Sequence, residues 1–201
     1  MKRLLLTVMF IGLWTFANGQ ETSLTIDNQI PGWLSSKIEY ANQQTLRNIK
    51  ITGYINGTDI KFLRELNLNR NLRGIIDLED ANILSGGDSY GPINIPGRNP
   101  SPTTKDNTIT EYMFACLNSI QKVILPKSTT EFTNNGFQFL STRVDTLIIN
   151  GNMESINVGS AFGSYSWGTK CIYFPEGITE INLAHPQKYV CKKIEDDEKN
   201  L

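Results

Sequence analysis

The stretch ITEYMFACLNSIQKVILPKS, residues 109–128, decides the fold, because two later stretches repeat its pattern. These are RVDTLIINGNMESI, residues 143–156, and GTKCIYFPEGITEI, residues 168–181. The apolar triplets end 24 and 25 positions apart, at Leu125, Ile149 and Phe174. A phenylalanine recurs in step, 23 and 25 positions apart, at Phe114, Phe137 and Phe162. Two independent markers with one period indicate an internal repeat.

Weaker copies of the pattern precede this stretch. The segments LRNIKITG and GIIDLEDANI place equivalent residues at Ile51 and Leu78, 27 positions apart. The next gap, from Leu78 to Leu125, is 47 positions, close to two periods. Much of it is rich in Gly, Pro, Asn and Ser, which favours loops. The sequence therefore predicts an exposed loop insertion at about 84–108.

A period of about 20 to 29 residues with L-x-x-L-x-L spacing is the leucine-rich repeat signature. Alternate side chains of a strand point to opposite faces, so one apolar set turns inward and stacks on its counterparts in the next repeat. That set is Val123, Leu125, Leu147, Ile149, Ile172 and Phe174. The sequence predicts an α/β or mainly β fold, a right-handed solenoid of about 3–5 turns with short parallel strands.

The segment before the repeats, residues 20–71, has a helix signal and is predicted to be an N-terminal helical cap. Asn56-Gly57 is predicted to form a turn, and Thr58 to be the helix N-cap. Three apolar residues share one helical face, at Ile60, Leu63 and Leu66. The solenoid is predicted to span 72–190, and a charged tail 191–201.

The segment 1–19 has the pattern of a secretory signal peptide: Lys2 and Arg3, an apolar run from Leu4, and small residues before Gln20. A membrane span is the alternative, but the run from Leu4 to Ala17 is shorter than the about 20 residues needed to cross a bilayer. No other long apolar run follows. We expect cleavage before Gln20, no integral membrane span afterwards, and a secreted, periplasmic or cell-surface protein.

Charge and cysteine content narrow the function classes. The whole chain carries 19 basic and 20 acidic residues, a formal net charge of −1, so it offers no basic surface for nucleic acid. The cysteines are Cys116, Cys171 and Cys191, an odd number for an exported protein. A disulfide between Cys171 and Cys191 is one alternative, and buried or unpaired thiols are the other.

Catalytic motifs are missing from the sequence. The single histidine, His185, has no nucleophile elbow or metal-type partner at a suitable spacing. The segment NILSGGDSYGP lacks the Gly-Lys-Ser/Thr ending of a P-loop and the spaced carboxylates of a calcium loop. We therefore expect no enzyme activity, no cofactor and no metal site, with His185 in an exposed turn and residues 82–92 in a flexible surface loop.

At residues 109–126 the sequence resembles the BspA-like leucine-rich repeat family of exported and surface proteins from host-associated bacteria. The family repeat, roughly I-x-x-x-A/M-F-x-x-C-x-x-L-x-x-V-x-L-P, is matched at Ile109, Met113, Phe114, Cys116, Ile120, Val123, Leu125 and Pro126. Cys116 stands one place early, and the later copies keep the Phe without the Cys. The segment from Pro31 to Leu66 is similar to the leader of such proteins. The resemblance implies non-enzymatic adhesion with protein or glycan ligands, including host-derived ones, and a small buried residue at Cys116.

The residues between the inward-facing ones are predicted to form a ligand-binding strand face. Those assigned to binding are Lys50, Asp77, Lys122, Ile124, Thr146, Ile148 and Tyr173. Among them Ile124, Ile148 and Tyr173 form an apolar strip, and such strips tend to mark interaction sites. Three alternatives stay open: ligand recognition through this face, an accessory subunit that mates with a partner chain or itself through the strip, or coverage of the strip by the insertion or the N-terminal segment.

Overall fold

The secondary structure is dominated by short strands. The computed structural model describes residues 22–91, 101–115, 117, 119–133, 144–153, 155–157, 169–175, 177–178, 180–182 and 190–193. Its strands are β1 Thr22–Asn28, β2 Leu46–Ile55, β3 Ile75–Asp77, β4 Ala81–Ile83, β5 Thr108–Ile109, β6 Ile120–Ile124, β7 Glu131–Phe132, β8 Val144–Ile148, β9 Ser155–Asn157, β10 Cys171–Phe174, β11 Glu180–Asn182 and β12 Val190–Lys193. Its α-helices are α1 Tyr40–Thr45 and α2 Gly57–Asn69, and Leu34–Lys37 form a 3-10 turn.

Eight strands form one parallel sheet, in the order β1-β2-β3-β6-β8-β10-β12, with β4 also paired to β2. Equivalent positions of the sequence repeat are direct partners in it. Val123 is paired with Leu147, and Leu147 with Ile172, so each step follows the period of the sequence. The fold is thus a mostly parallel sheet with few helices, as the α/β or mainly β prediction required.

Two further pairs of short parallel strands lie outside this sheet. β5 is paired with β7, and β9 with β11. Each pair again joins residues about one period apart, since Ile109 is opposite Phe132 and Ile156 is opposite Ile181. The repeat therefore recurs in two separate sets of strands.

The alternation predicted for the core is confirmed. At most 1% of the surface of each inward residue is exposed, for Val123, Leu125, Leu147, Ile149, Ile172 and Phe174. Phe114 is also buried, whereas Phe137 and Phe162 lie outside the described residues. Burial of one such side chain contributes about 1.5 to 3 kcal/mol, so this set accounts for much of the stability of the sheet.

The segment predicted as a helical cap contributes two strands to the main sheet. β2 carries the weak repeat copy found in the sequence, and β1 is paired with it along its whole length. At the other end, β12 occupies Val190–Lys193, the start of the predicted charged tail, and pairs with β10. The sheet therefore extends further in both directions than the predicted solenoid limits of 72–190.

Helix α2 begins earlier than predicted, because Asn56 and not Thr58 is its N-cap. The Asn56 side chain accepts the backbone N–H of Thr58 at 3.0 Å, and the Asp59 carboxylate accepts that of Asn56 at 3.0 Å. This is a capping box, which satisfies two N–H groups that a helix start leaves unpaired. The hydroxyl of Thr58 instead accepts the N–H of Asp88 at 2.8 Å. The predicted buried face is confirmed at Ile60, Leu63 and Leu66.

The insertion at 84–108 is partly buried, which corrects the prediction of an exposed loop. Its two described arms meet at a bridge between Gly86 and Thr104. Tyr90 is only 2% exposed, and its hydroxyl oxygen lies 2.6 Å from Thr110 Oγ1. The buried guanidinium of Arg64, on α2, donates to the Tyr90 carbonyl. A large aromatic side chain thus anchors a segment that its Gly and Ser content had marked as solvent-exposed.

Candidate ligand-binding face

The side of the main sheet opposite the core, here called the outward face, carries the predicted binding residues in two rows. In the first row the register joins five residues on consecutive strands: Lys50, Asp77, Ile124, Ile148 and Tyr173. In the second row it joins Ile75, Lys122, Thr146 and Cys171. The rows are aligned as the sequence predicted, because residues at alternate positions of parallel strands share a face.

All of these side chains are half-buried. The residues on either side of them in each strand, such as Leu147 beside Ile148, are in the core. Ile124, Ile148 and Tyr173 form what we call the apolar row, on three adjacent strands about 4.8 Å apart. The apolar row is accessible in part, which is the condition for contact with another molecule.

The described arms of the insertion make their contacts away from the apolar row. They are hydrogen-bonded to α2, where the Gly57 N–H donates to the Gly86 carbonyl at 3.0 Å, and to Thr110 through the Tyr90 hydroxyl. The turn at Gly32 and Leu34 likewise docks on Asp59 of α2, whose Oδ atoms lie 2.6 and 2.9 Å from the two backbone nitrogens. None of these hydrogen bonds of the described residues reaches the apolar row.

The first row begins with a group of charges, the ionic group, consisting of Lys50, Asp77, Glu79, Asp80 and Lys127. The Lys50 Nζ lies 2.8 Å from Asp80 Oδ2 and 3.7 Å from Asp77 Oδ2, and Lys127 Nζ lies 2.9 Å from Glu79 Oε1. The backbone supports this arrangement, since the Lys127 N–H donates to the Glu79 carbonyl at 3.0 Å. The outward face is therefore charged at one end and apolar at the other.

The ion pairs shift the titration of their members. The hydrogen bond to Asp80, followed by the charge of Asp77, raises the pKa of Lys50, and the hydrogen bond from Lys50 lowers the pKa of Asp80. The hydrogen bond to Glu79 raises the pKa of Lys127. The side chains of Lys50 and Asp80 are 34% and 45% exposed. Solvent therefore screens the attraction, and these pairs contribute little to stability.

Lys50 and Asp77 were predicted as face residues, whereas Glu79, Asp80 and Lys127 were not. The last three follow the ends of strands, where no alternation applies. The dense acidic segment DLED, residues 77–80, was the one available signal in the sequence. The structure brings these five charged residues together, and Lys122 forms no ion pair with any of them.

The predicted cysteine and histidine sites have different outcomes. Cys171 is half-buried on the outward face and its thiol is free. Its partner in the sheet is Val190, whereas Cys191 is the partner of Ile172, so the two cysteines are not opposite each other. Because the Cys171 thiol is free, the structure does not contain the Cys171–Cys191 bridge considered from the sequence. Cys116 and His185 lie outside the described residues.

Two features that would indicate other function classes are absent from the described part of the chain. No cluster of three or more His, Cys, Asp or Glu side chains in it is arranged to hold a metal ion. Nor does it include a helix with the length and hydrophobicity to span a bilayer.

Comparison with known proteins gives no assignment: no family model matches the chain, and no curated protein sequence matches it significantly.

Proposed function

We propose that this protein is an exported, non-enzymatic recognition protein that binds a protein or glycan ligand through the outward face of its main sheet. The observation that carries the proposal is the register, which places the half-buried Ile124, Ile148 and Tyr173 side by side on three strands. An accessible apolar row of this kind gains free energy when a ligand covers it. The ionic group at the same face supplies charges that can orient the ligand.

The proposed architecture is a right-handed leucine-rich repeat solenoid of about 3–5 turns of the BspA-like type. Strand partners that follow the period of the sequence, together with the second set of strands β5, β7, β9 and β11, support it. In such a solenoid the strand face is continuous, and the ligand spans several repeats. Export through the signal peptide at 1–19 would bring this face to a secreted, periplasmic or cell-surface location.

A screen of the exported chain, residues 20–201, against an array of extracellular-matrix proteins and glycans tests the proposal. We expect at least one ligand to bind, and the Ile148→Asp variant to lose that binding while its circular dichroism spectrum stays that of the folded protein and its melting temperature falls by only a few degrees. Glu131→Lys, on the separate β5–β7 pair, is the matched control and should bind like the wild type. Binding that is equal in Ile148→Asp and the wild type would contradict the proposal.

Two outcomes favour other functions. An obligate dimer that dissociates in the Ile148→Asp variant would favour the accessory-subunit alternative, with the apolar row as the mating surface. Light scattering after size-exclusion chromatography measures this directly. Substrate turnover that is abolished by His185→Ala would show an enzyme instead.

A further inference from the structure

Lys122 differs from the other lysines whose side chains the structure describes, because its ammonium group has no partner among the described residues. Each of the others makes a hydrogen bond or an ion pair: Lys37 with the Asp27 carbonyl, Lys50 with Asp80, Lys61 with Asp88, Lys105 with Glu131, Lys127 with Glu79 and Lys170 with Asp145. Among the described residues, Lys122 has neither a hydrogen-bond acceptor nor a carboxylate for its ammonium group. It is nevertheless half-buried, on the outward face of β6.

A partly buried lysine whose ammonium group has no counter-ion can bind an anion. Among the described residues no carboxylate lies within ion-pair distance of Lys122, and Asp77, on the same face, is ion-paired with Lys50. The register neighbours of Lys122 are Ile75 and Thr146, neither of which carries a charge. The ammonium group therefore gains free energy when a ligand supplies a carboxylate.

Thr146 adds a second polar group at the same place. It is opposite Lys122 on the neighbouring strand, about 4.8 Å away. Its hydroxyl has no hydrogen-bond partner among the residues described. A hydroxyl that can donate, beside an ammonium group, suits the two oxygens of one carboxylate.

The same two strands carry an apolar pair two residues further on. Ile124 is opposite Ile148, as Lys122 is opposite Thr146. Two residues along a strand span about 6.6 Å, so the four side chains form a rectangular patch with one polar and one apolar edge. A ligand that fits this patch has a carboxylate and an apolar group separated by about that distance.

We infer, on the basis of the proposed function, that the ligand is a polypeptide, and that it presents an Asp or Glu side chain to Lys122 and Thr146 and a neighbouring apolar side chain to Ile124 and Ile148. A glycan fits less well, since its hydroxyl groups would be buried against two isoleucines that offer no hydrogen bonds. An acidic side chain and an apolar one two residues away in an extended peptide point to the same side, about 6.6 Å apart, and so provide both groups at the spacing of the patch.

The test uses the exported chain, residues 20–201, against a display library of random dodecapeptides, with an array of acidic and neutral glycans as the second arm. We expect the selected peptides to carry Asp or Glu close to an apolar residue. Replacement of that acid by Asn or Gln in the peptide, or Lys122→Gln in the protein, should weaken binding about tenfold, as expected for a charged hydrogen bond. Lys122→Glu should instead select peptides with Lys or Arg.

Controls separate a specific role from a loss of structure. Lys105→Gln removes a lysine that is paired with Glu131 away from the outward face, and it should bind like the wild type. Thr146→Val, similar in shape, should weaken acidic peptides more than their amide versions. Circular dichroism and melting temperature confirm that each variant is folded, and the Asp-to-Asn change in the peptide needs no protein variant at all.

The outcomes distinguish this inference from the proposed function. Peptides that bind equally well to Lys122→Gln but are lost in Ile148→Asp would overturn the inference and leave recognition through the face intact. Binding to glycans alone would do the same. A protein that binds neither library, or binds them regardless of Ile148→Asp, would overturn both.

Discussion

The Asp59 side chain accepts the backbone N–H of Leu34 through Oδ1 at 2.9 Å, although the two residues are far apart in the sequence. The other carboxylate oxygen accepts the N–H groups of Gly32 and Asn56, at 2.6 and 3.0 Å. With 1% of its surface exposed, Asp59 thus joins the turn after β1 to the start of α2.

The first prediction is that Asp59→Ala strongly destabilises the protein. The change leaves three backbone N–H groups without acceptors, and we expect the free energy of unfolding to fall by about 3 to 5 kcal/mol. Urea denaturation followed by circular dichroism measures it.

Asp88→Ala is the control for the Asp59 variant. The Asp88 side chain is 63% exposed and lies 3.7 Å from the Lys61 ammonium group. The effect of an exposed substitution of this kind on the free energy of unfolding should stay within about 0.5 kcal/mol. Equal effects of the two variants would show that Asp59 does not join these segments.

The second prediction concerns two adjacent residues on opposite sides of the sheet. Leu147 is fully buried and Ile148 is half-buried. We expect Leu147→Ala to lower the free energy of unfolding by about 2 to 5 kcal/mol, because it leaves a cavity, and Ile148→Ala to lower it by about 1 kcal/mol. Denaturation curves of both variants check this. The reverse order would mean that β8 has the opposite orientation.

The third prediction is that Lys50 controls the titration of Asp80. The hydrogen bond to Lys50 lowers the pKa of Asp80. This pair therefore stabilises the folded state above the ordinary carboxyl pKa and loses that contribution as the pH falls through the lowered one. In Lys50→Met, we expect the Asp80 pKa to rise toward its ordinary value, which carboxyl NMR titration measures. Lys105→Met, whose lysine contacts Glu131, should leave Asp80 unchanged, and an unchanged Asp80 in Lys50→Met would contradict the ion pair.

The fourth prediction concerns Tyr90, whose burial raises its pKa to about 12. The folded state therefore holds the proton more tightly than the unfolded chain, and stability is lost as the pH rises from the ordinary tyrosine pKa toward the raised one. We expect Tyr90→Phe to reduce this alkaline loss. At neutral pH the variant also loses the contacts to Thr110 and Glu111. Their loss should cost about 1 kcal/mol.

Urea unfolding at a series of pH values, from neutral up to the raised pKa of Tyr90, measures both effects of the change. An alkaline loss of the same size in the variant would mean that other groups cause it. Thr110→Val, which keeps the tyrosine but removes its 2.6 Å neighbour, is the matched control and should retain the loss.

The sequence predicted the inward residues and the rows of the outward face, because both follow from alternation along a strand and from the repeat period. It did not predict β1, which precedes the earliest recognisable copy of the pattern. It also misplaced the N-cap of α2, although Asn56 and Asp59 have the spacing of a capping box. The bonding of the Thr58 hydroxyl to Asp88 depends on a tertiary contact that no local pattern contains.

The ionic group and the burial of Tyr90 were missed for a similar reason. Glu79, Asp80 and Lys127 follow strand ends, and their positions depend on how two loops pack together. Tyr90 is one aromatic residue in a segment rich in Gly and Ser, where composition predicts exposure. Residues whose positions depend on packing between distant loops lie beyond what periodicity predicts.

The order of strands has a consequence for folding kinetics. Most partners in the main sheet are about one repeat period apart in the chain, but Ile76 and Val123, on either side of the insertion, are nearly two periods apart. Closing a loop of twice the length costs about 0.6 kcal/mol more in chain entropy. Strands β1 to β4, and likewise strands β6 to β10, can assemble by closing short loops. Pairing of β3 with β6 instead requires closing the long loop that contains the insertion. The junction at β3 and β6 is thus the place where the growing sheet meets its highest entropic barrier.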